Sequence, residues 1–466
     1  MLSSPRAVTS ALSLAAIAVC GALTTTTVHA APARRLVDVP PPRVDAEPIA
    51  PTGPAVPTTM AADDSLLRGA QALPLDAVVK HARDNAMRVR VARSRLKLGD
   101  AAVEGAKPLL VDNPQLYIGM GARVNPKGSN FEVQSTFMQP FEVGGERGLR
   151  IKAGRKYREL LDRELQQVQW ETFASVHYAY NMALLAKARA NTAERTQVFS
   201  ARLLEITEKR AQAGEISSLR VRIAAGELAV ARQAKLNADL EFRLACIHLS
   251  EVAGWPQGQL IMPTGGLEPP VRVKDNDALI AQLQGEHPAI KAREAAVGLG
   301  EARVKSADRD RLPEPWLGFY AGREKEPGGG LDSRIGLVTL QMSLPFWKRN
   351  QAARAQSRSE LSVAEQELAA LHYSLAMSAR RAVEAVNTAA ERVRTYASEV
   401  VPRFEENLSL LQRAFELGEV ELIEVFVARE NFLRIQSEAL EAYRAYYDSV
   451  YSLESMLGAP IATVAA

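Results

Sequence analysis

Two cysteines in 466 residues cannot supply a disulfide scaffold. Aromatic residues make up only 6% of the chain. The six histidines, His29, His81, His177, His248, His287 and His372, are scattered, with no pair at helical ligand spacing. Phosphate loop, nucleophile elbow and dinucleotide fingerprint are all missing, and Gly119-Met120-Gly121 is too short to stand for one. No catalytic, cofactor-binding or metal-ligating residue is therefore expected, and the chain does not read as an enzyme. A net charge of +3 is small for this length and gives no reason to expect nucleic acid as a partner. Beyond the first thirty residues no apolar run is long enough for a transmembrane helix, which still leaves membrane β-strands open, since their trace in sequence is much weaker.

What is present begins with an export signal. Arg6 is a short basic region, Ala11 to Leu23 is apolar apart from Ser13, and Val28-His29-Ala30 puts small residues at the cleavage positions, so residues 1–30 are expected to be removed. Cleavage after Ala30 removes Cys20 and leaves Cys246, in the apolar stretch Leu244 to Leu249, as a buried thiol. Ile17-Ala18-Val19-Cys20-Gly21 has the outline of a lipoprotein signal with Val19 where a small residue is usual, and lipidation of Cys20 stays open. Residues 31–62, rich in proline, alanine and threonine, read as an extended segment.

The rest of the chain repeats itself. Leu98-Gly99-Asp100-Ala101 matches Leu299-Gly300-Glu301-Ala302, and Pro114-Gln115-Leu116 matches Pro315-Trp316-Leu317. Further on, Gln139-Pro140-Phe141 matches Leu344-Pro345-Phe346, and Ala213-Gly214-Glu215-Ile216 matches Leu417-Gly418-Glu419-Val420. Four collinear matches argue for an internal duplication, with repeats at 63–255 and 276–458, a linker at 256–275 and a tail at 459–466. Each repeat is expected to hold a helical stretch (about 75–108 and 277–311), two short alternating strands, a very long helix, a glycine turn and a shorter amphipathic helix.

The strands are expected at about 115–139 and 315–345. Leu116, Ile118, Met120, Ala122 and Val124 fall on one face of the first. Alternation alone suits soluble hairpins better than membrane strands, whose signal is weak per segment. The helices shift that balance. From about Gly145 to Arg210 and from Arg349 to Glu416 the only proline is Pro402, and each stretch would be about 100 Å long at the rise of an α-helix. Ala382, Val386, Ala389, Val393, Tyr396 and Val400 form a coiled-coil seam. Gly214 and Gly418 then close the long helices, while Pro140, Gly144, Gly145 and Pro345 redirect the chain from strand to helix.

Four strands cannot close a barrel, and an open edge is not tolerated in lipid, so membrane strands would have to be pooled among chains; three chains give twelve. The layout resembles the outer membrane efflux protein (TolC) family over nearly the whole mature chain, from about Leu73 to Gly458. The junctions Gln139-Pro140-Phe141-Glu142-Val143-Gly144-Gly145-Glu146-Arg147 and Leu344-Pro345-Phe346-Trp347-Lys348-Arg349-Asn350-Gln351 are similar to those of its cobalt-zinc-cadmium branch, except that Glu146 stands where that branch usually has lysine. The resemblance implies a mainly α protein with a small β part. It implies duplicated long helical hairpins and four membrane strands per chain. A homotrimer would form a 12-stranded β-barrel in outer-membrane lipid and an α-barrel in the periplasm.

It also implies a periplasmic adaptor protein and an inner-membrane resistance-nodulation-division pump as partners, with passive conduction of heavy-metal cations. Ducts for drug efflux or type I protein secretion share the same form, and a soluble periplasmic coiled-coil adaptor would share the helices. On this reading Ala213, Gly214, Glu215, Leu417, Gly418 and Glu419 are adaptor-contact tips. Glu416, Glu421 and Glu424 are candidates for an acidic ring in the lumen, against the plainer reading of a solvated helix face.

Overall fold

Proline and glycine punctuate a chain that is otherwise helix-forming, and they set where each element stops. A computed structural model describes residues 69–110, 112–273, 281–282, 284–325 and 332–464, all within the unit Ala62–Ala466. The expected signal peptide, the segment 31–62 and residues 326–331 lie outside the described residues.

Strand β1 (Gln71–Leu73) leads through Pro74 into α1 (Leu75–Asn85) and α2 (Met87–Ala106). The single helix expected over about 75–108 is thus two. Ala86 takes an extended backbone (φ −54°, ψ 136°), and Gly254 packs so closely against Asn85 and Ala86 that a Cβ there would lie 2.5 Å from the Asn85 carbonyl oxygen. Strands β2 (Gln115–Asn125) and β3 (Gly128–Pro140) follow, joined by the turn Pro126-Lys127. Helix α3 (Glu146–Gln212) runs 67 residues without proline, and α4 (Ser218–Ala253) returns along it.

After β4 (Ile261–Pro263), the second copy comprises α5 (Pro288–Arg309), β5 (Trp316–Lys325) and β6 (Asp332–Gln341). Strand β6 stops short of the expected end near 345, because Pro345 cannot join a ladder and Met342–Leu344 pair with no strand among the described residues. The second long helix is α6 (Gln351–Thr395) and α7 (Val401–Leu417), joined by one π-helical turn, Tyr396–Val400. Pro402 explains the interruption. It has no N–H to give Ser398 and its ring would press on that carbonyl, so the ladder widens just before it and the Val401 N–H reaches back to the Tyr396 carbonyl. Helix α8 (Leu422–Leu457) completes the hairpin.

Three apolar clusters hold these helices. One joins α6 to α8 through Ala382, Val386, Val393, Tyr446, Val450 and Leu453, so three of the six expected seam residues are buried, while Ala389 and Tyr396 lie at its margin and Val400 is half-buried. A second gathers α1–α4 around Val78, Val89, Val176, Leu249 and Ile261. A full side chain buried in either is worth about 1.5–3 kcal/mol. The parallel pair β1–β4 anchors the start of the first copy to the segment after α4; the Ser250 hydroxyl accepts the Ile261 N–H at 2.8 Å, and the Tyr180 hydroxyl donates to Leu73 and Thr264 carbonyls. Cys246 is fully buried, as expected, and burial pushes its thiol pKa up to about 11.

Candidate functional site: strands, junctions and helix tips

The two strand hairpins join into one antiparallel sheet of order β2-β3-β5-β6. Register decides its chemistry. Leu116, Phe137, Phe319 and Val338 stand in one row across all four strands, and every one is exposed. The next row, Tyr117, Thr136, Tyr320 and Leu337, faces the other way. On that second face Arg123 pairs with Glu132 and Glu324, and the Tyr320 hydroxyl donates to Gln134 at 3.4 Å. The sheet therefore has one mainly apolar face, which gives way to Arg323, Asp332 and Arg334 at the far end of the β5–β6 hairpin, and one polar face, with nothing from the described residues packed over the apolar side. Its outer edges, β2 and β6, run in opposite directions and have no strand partner among the described residues. Of the strand aromatics, Tyr117 and Tyr320 sit on the polar face, and Trp316 pairs with Pro140 and Gln341 at the end nearest the helices.

Both strand-to-helix junctions are built alike. Gly145 (φ 83°) and Asn350 (φ 56°) each precede a long helix in the left-handed region, and Asn350 is the one non-glycine residue with positive φ among those described. In each, the first helical side chain reaches back: Glu146 accepts the Gly144 N–H at 2.8 Å, and Gln351 accepts the Arg349 N–H at 2.8 Å. Pro140 ends β3 and is buried, while Pro345 follows β6 and accepts from Arg349 at 3.0 Å. Glu146, buried, meets Arg309 at 2.7 Å, and Arg309 also donates to the Gly144 carbonyl at 2.8 Å. A Cβ on Gly144 would fall within that guanidinium. Burial, followed by the nearby charge of Glu146, raises the Asp310 pKa, and burial with the charges of Asp112, Glu146 and Asp310 raises that of Glu314.

At the other end the two hairpin tips meet. Gly214 and Gly418 take φ of 80° and 81°, and matching bonds close both helices: the Glu215 N–H to the Arg210 carbonyl (3.0 Å) and the Glu419 N–H to the Ala414 carbonyl (2.9 Å). Leu203, Ala224, Phe415, Leu422, Val425 and Phe426 form a cluster shared by α3, α4, α7 and α8. Arg210 donates to Glu215 at 2.8 Å and to the Phe415 carbonyl at 3.1 Å, its guanidinium lying 5.1 Å from the Phe415 ring centre. Arg220 donates to Glu421 (3.1 Å), Arg202 faces Glu416 (3.5 Å), and Arg429 joins Ser200 and Glu227. Three of the acidic tip residues singled out in the sequence, Glu215, Glu416 and Glu421, thus pair with arginines of the first hairpin. Glu419 and Glu424 are exposed, and neither forms a side-chain ion pair among the described residues. Ala213 and Leu417 are exposed at the same end.

Sequence reasoning did not find the β3–β5 pairing, the Arg309–Glu146 bond, the π turn or the buried His177–Glu454 pair (2.9 Å). Pro402 was the one local signal for any of them. Among the described residues no helix is long and apolar enough to cross a membrane, and no cluster of His, Cys, Asp and Glu is arranged to hold a metal ion.

The outer membrane efflux protein family model matches residues 78–254 and 279–459. The cobalt-zinc-cadmium resistance protein CzcC of Cupriavidus metallidurans is 23% identical over 337 residues, covering 68% of this chain and 75% of its own. The nickel-cobalt-cadmium resistance protein NccC of Alcaligenes xylosoxydans xylosoxydans is 22% identical over 324 residues, with 69% and 72% covered. Among solved structures, CusC superposes with a TM-score of 0.62 at 18% identity, covering 82% of this chain and 92% of its own. The CmeC outer membrane channel of Campylobacter jejuni gives 0.65 at 12% identity, covering 82% and 85%. The mainly helical fold with a small sheet is thus a fold of known channels, and the chain belongs to the outer membrane efflux protein family.

Proposed function

We propose that the chain is the exit duct of a tripartite efflux system, a homotrimer that conducts its substrate passively across the periplasm and outer membrane. The observation that carries this is the sheet: one face apolar over most of its length, one polar face and, among the described residues, two unpaired edges running in opposite directions. In lipid such edges must be closed, and β6 of one copy meets β2 of the next in the antiparallel sense the sheet already has. Three copies give twelve strands with the polar face inward. The same trimer would gather the helical hairpins into a periplasmic tube about 100 Å long. An export signal at 1–30, repeats at 63–255 and 276–458, and a linker at 256–275 complete the organisation proposed.

The tips at Ala213–Glu215 and Leu417–Glu419 are the proposed contact with a periplasmic adaptor, itself joined to an inner-membrane resistance-nodulation-division pump. The exposed Glu419 and Glu424 are the better candidates for an acidic ring, since Glu416 and Glu421 pair with arginines within the chain. Heavy-metal cations are the proposed cargo, on the strength of the resistance proteins CzcC and NccC. Extraction of outer membranes with detergent should yield a trimer; recovery as a soluble periplasmic monomer would sink the duct. Deletion in a strain lacking redundant ducts should raise sensitivity to zinc, cobalt or cadmium, and unchanged tolerance would count against the metal cargo alone.

A further inference from the structure

The second strand-to-helix junction differs from the first in one respect that duplication does not explain. The matched prolines Pro140 and Pro345 are followed by Phe141-Glu142 in one copy and Phe346-Trp347 in the other. Glu142 turns inward, its side chain 8% exposed, to pair with Arg150. Trp347 turns outward and is 88% exposed, with only the edge of Phe346 beside it at 6.0 Å. Lys348 and Arg349 then follow where the first copy has Val143 and Gly144.

We propose that Leu344–Arg349 is a lipid foot, which seats Phe346 and Trp347 among the phospholipid headgroups of the periplasmic leaflet, with the Lys348 and Arg349 charges on anionic phosphates. This rests on the reading that the sheet crosses the outer membrane. Three observations carry the foot itself. Leu340 belongs to the apolar face of β6, and Met342, Leu344 and Phe346 continue its alternation past the strand end, all of them exposed. The segment is held in shape rather than loose: the Phe346 N–H bonds the Leu344 carbonyl (2.9 Å), Gln351 donates to the Trp347 carbonyl (2.7 Å) and Arg349 to the Pro345 carbonyl (3.0 Å). An indole at the rim of an apolar band, followed at once by two cations, matches the layered chemistry of a bilayer surface, where an amphipathic ring sits at headgroup depth and cations meet anionic lipid. A second copy of the chain or an adaptor protein would cover the indole without putting it near acyl chains.

The test uses the full-length trimer reconstituted into phosphatidylethanolamine–phosphatidylglycerol bilayers whose acyl chains carry bromine near the headgroup. The Trp347 signal is the emission of the wild type minus that of Trp347→Phe, which removes the background of Trp170, Trp255 and Trp316. Phe319→Trp, in the Trp347→Phe background, reports on the apolar face of the sheet. The foot predicts quenching of Trp347 by the brominated lipid. It also predicts a loss of quenching when phosphatidylglycerol is omitted, and a loss of that lipid dependence in Lys348→Gln. If the residue-319 indole is quenched and Trp347 is not, the foot is wrong and the membrane sheet stands. If neither is quenched, the membrane reading fails and takes the foot with it.

Discussion

His177 shows how a single residue can tie the two repeats together and leave a measurable trace. Its Nδ1 meets the Glu454 carboxylate at 2.9 Å, joining α3 to α8, and Glu454 also accepts the Ile461 N–H at 3.0 Å. Burial works against the imidazolium, but the hydrogen bond and charge of Glu454, with a smaller share from Glu268, outweigh it and raise the His177 pKa above its ordinary 6.5. A histidine whose folded pKa is raised contributes stability that is fully present below the unfolded pKa, here about 6.5, and is lost as pH climbs through the folded value. Thermal unfolding of the purified protein should therefore show this contribution fading as pH rises above about 6.5. Glu454→Gln should cost about 1–3 kcal/mol just below about pH 6.5, where the imidazolium is present, and flatten that part of the pH profile. An unchanged pH slope in Glu454→Gln would show that the pair is not the titrating element. None of this was legible in the sequence, where His177 and Glu454 lie 277 residues apart with no motif around either.

At the scale of elements the sequence was far more informative, because turns and helix ends are written in local chemistry. Gly214 and Gly418 marked the tips, and both adopt the left-handed conformation that glycine alone takes without strain. Replacing either by alanine should cost about 1–2 kcal/mol, the penalty of that conformation for an L-residue. Amide exchange at 211–219 and 415–423 would detect it as local loosening; protection equal to wild type would mean that the cap relaxes without strain. The seam residues Val386 and Val393 were equally legible, since coiled-coil spacing is a property of the helix itself. The end of β6 differs from its sequence pattern: alternation persists to Leu344 and Phe346, but the hydrogen-bond ladder stops at Gln341 ahead of Pro345. Alternation reports which face a side chain takes, while the ladder depends on a partner strand, and the partner β5 begins only at Trp316, after Pro315. Pairing of β3 with β5 across the two copies left no local mark for the same reason.

For the whole molecule, the two ends make separable predictions. At the sheet end, adjacent residues on opposite faces test the proposed barrel: Phe137→Arg places a charge on the apolar face and should cost about 2–4 kcal/mol and reduce the proposed trimer recovered from outer membranes, while Thr136→Arg, on the polar face, should be tolerated. Equal recovery of the two would refute the assignment of faces. At the tip end the question is whether ion pairs or packing hold the hairpins together. The Arg220–Glu421 and Arg202–Glu416 pairs are largely exposed, and such pairs contribute about 0–1 kcal/mol each. Phe415 is fully buried in the cluster shared by both hairpins, and truncating a buried phenylalanine costs about 3–5 kcal/mol. Packing therefore outweighs the ion pairs. If the duct narrows at its tips, Phe415→Ala should raise the open probability of trimers in planar bilayers, and Arg220→Ala should leave it close to wild type. Arg210→Ala should fall between them, because its guanidinium both lies against the Phe415 ring and bonds the Phe415 carbonyl. Opening by Arg220→Ala as large as that by Phe415→Ala would reverse this order and make the closed state electrostatic, with a conductance that rises with salt as the pairs are screened.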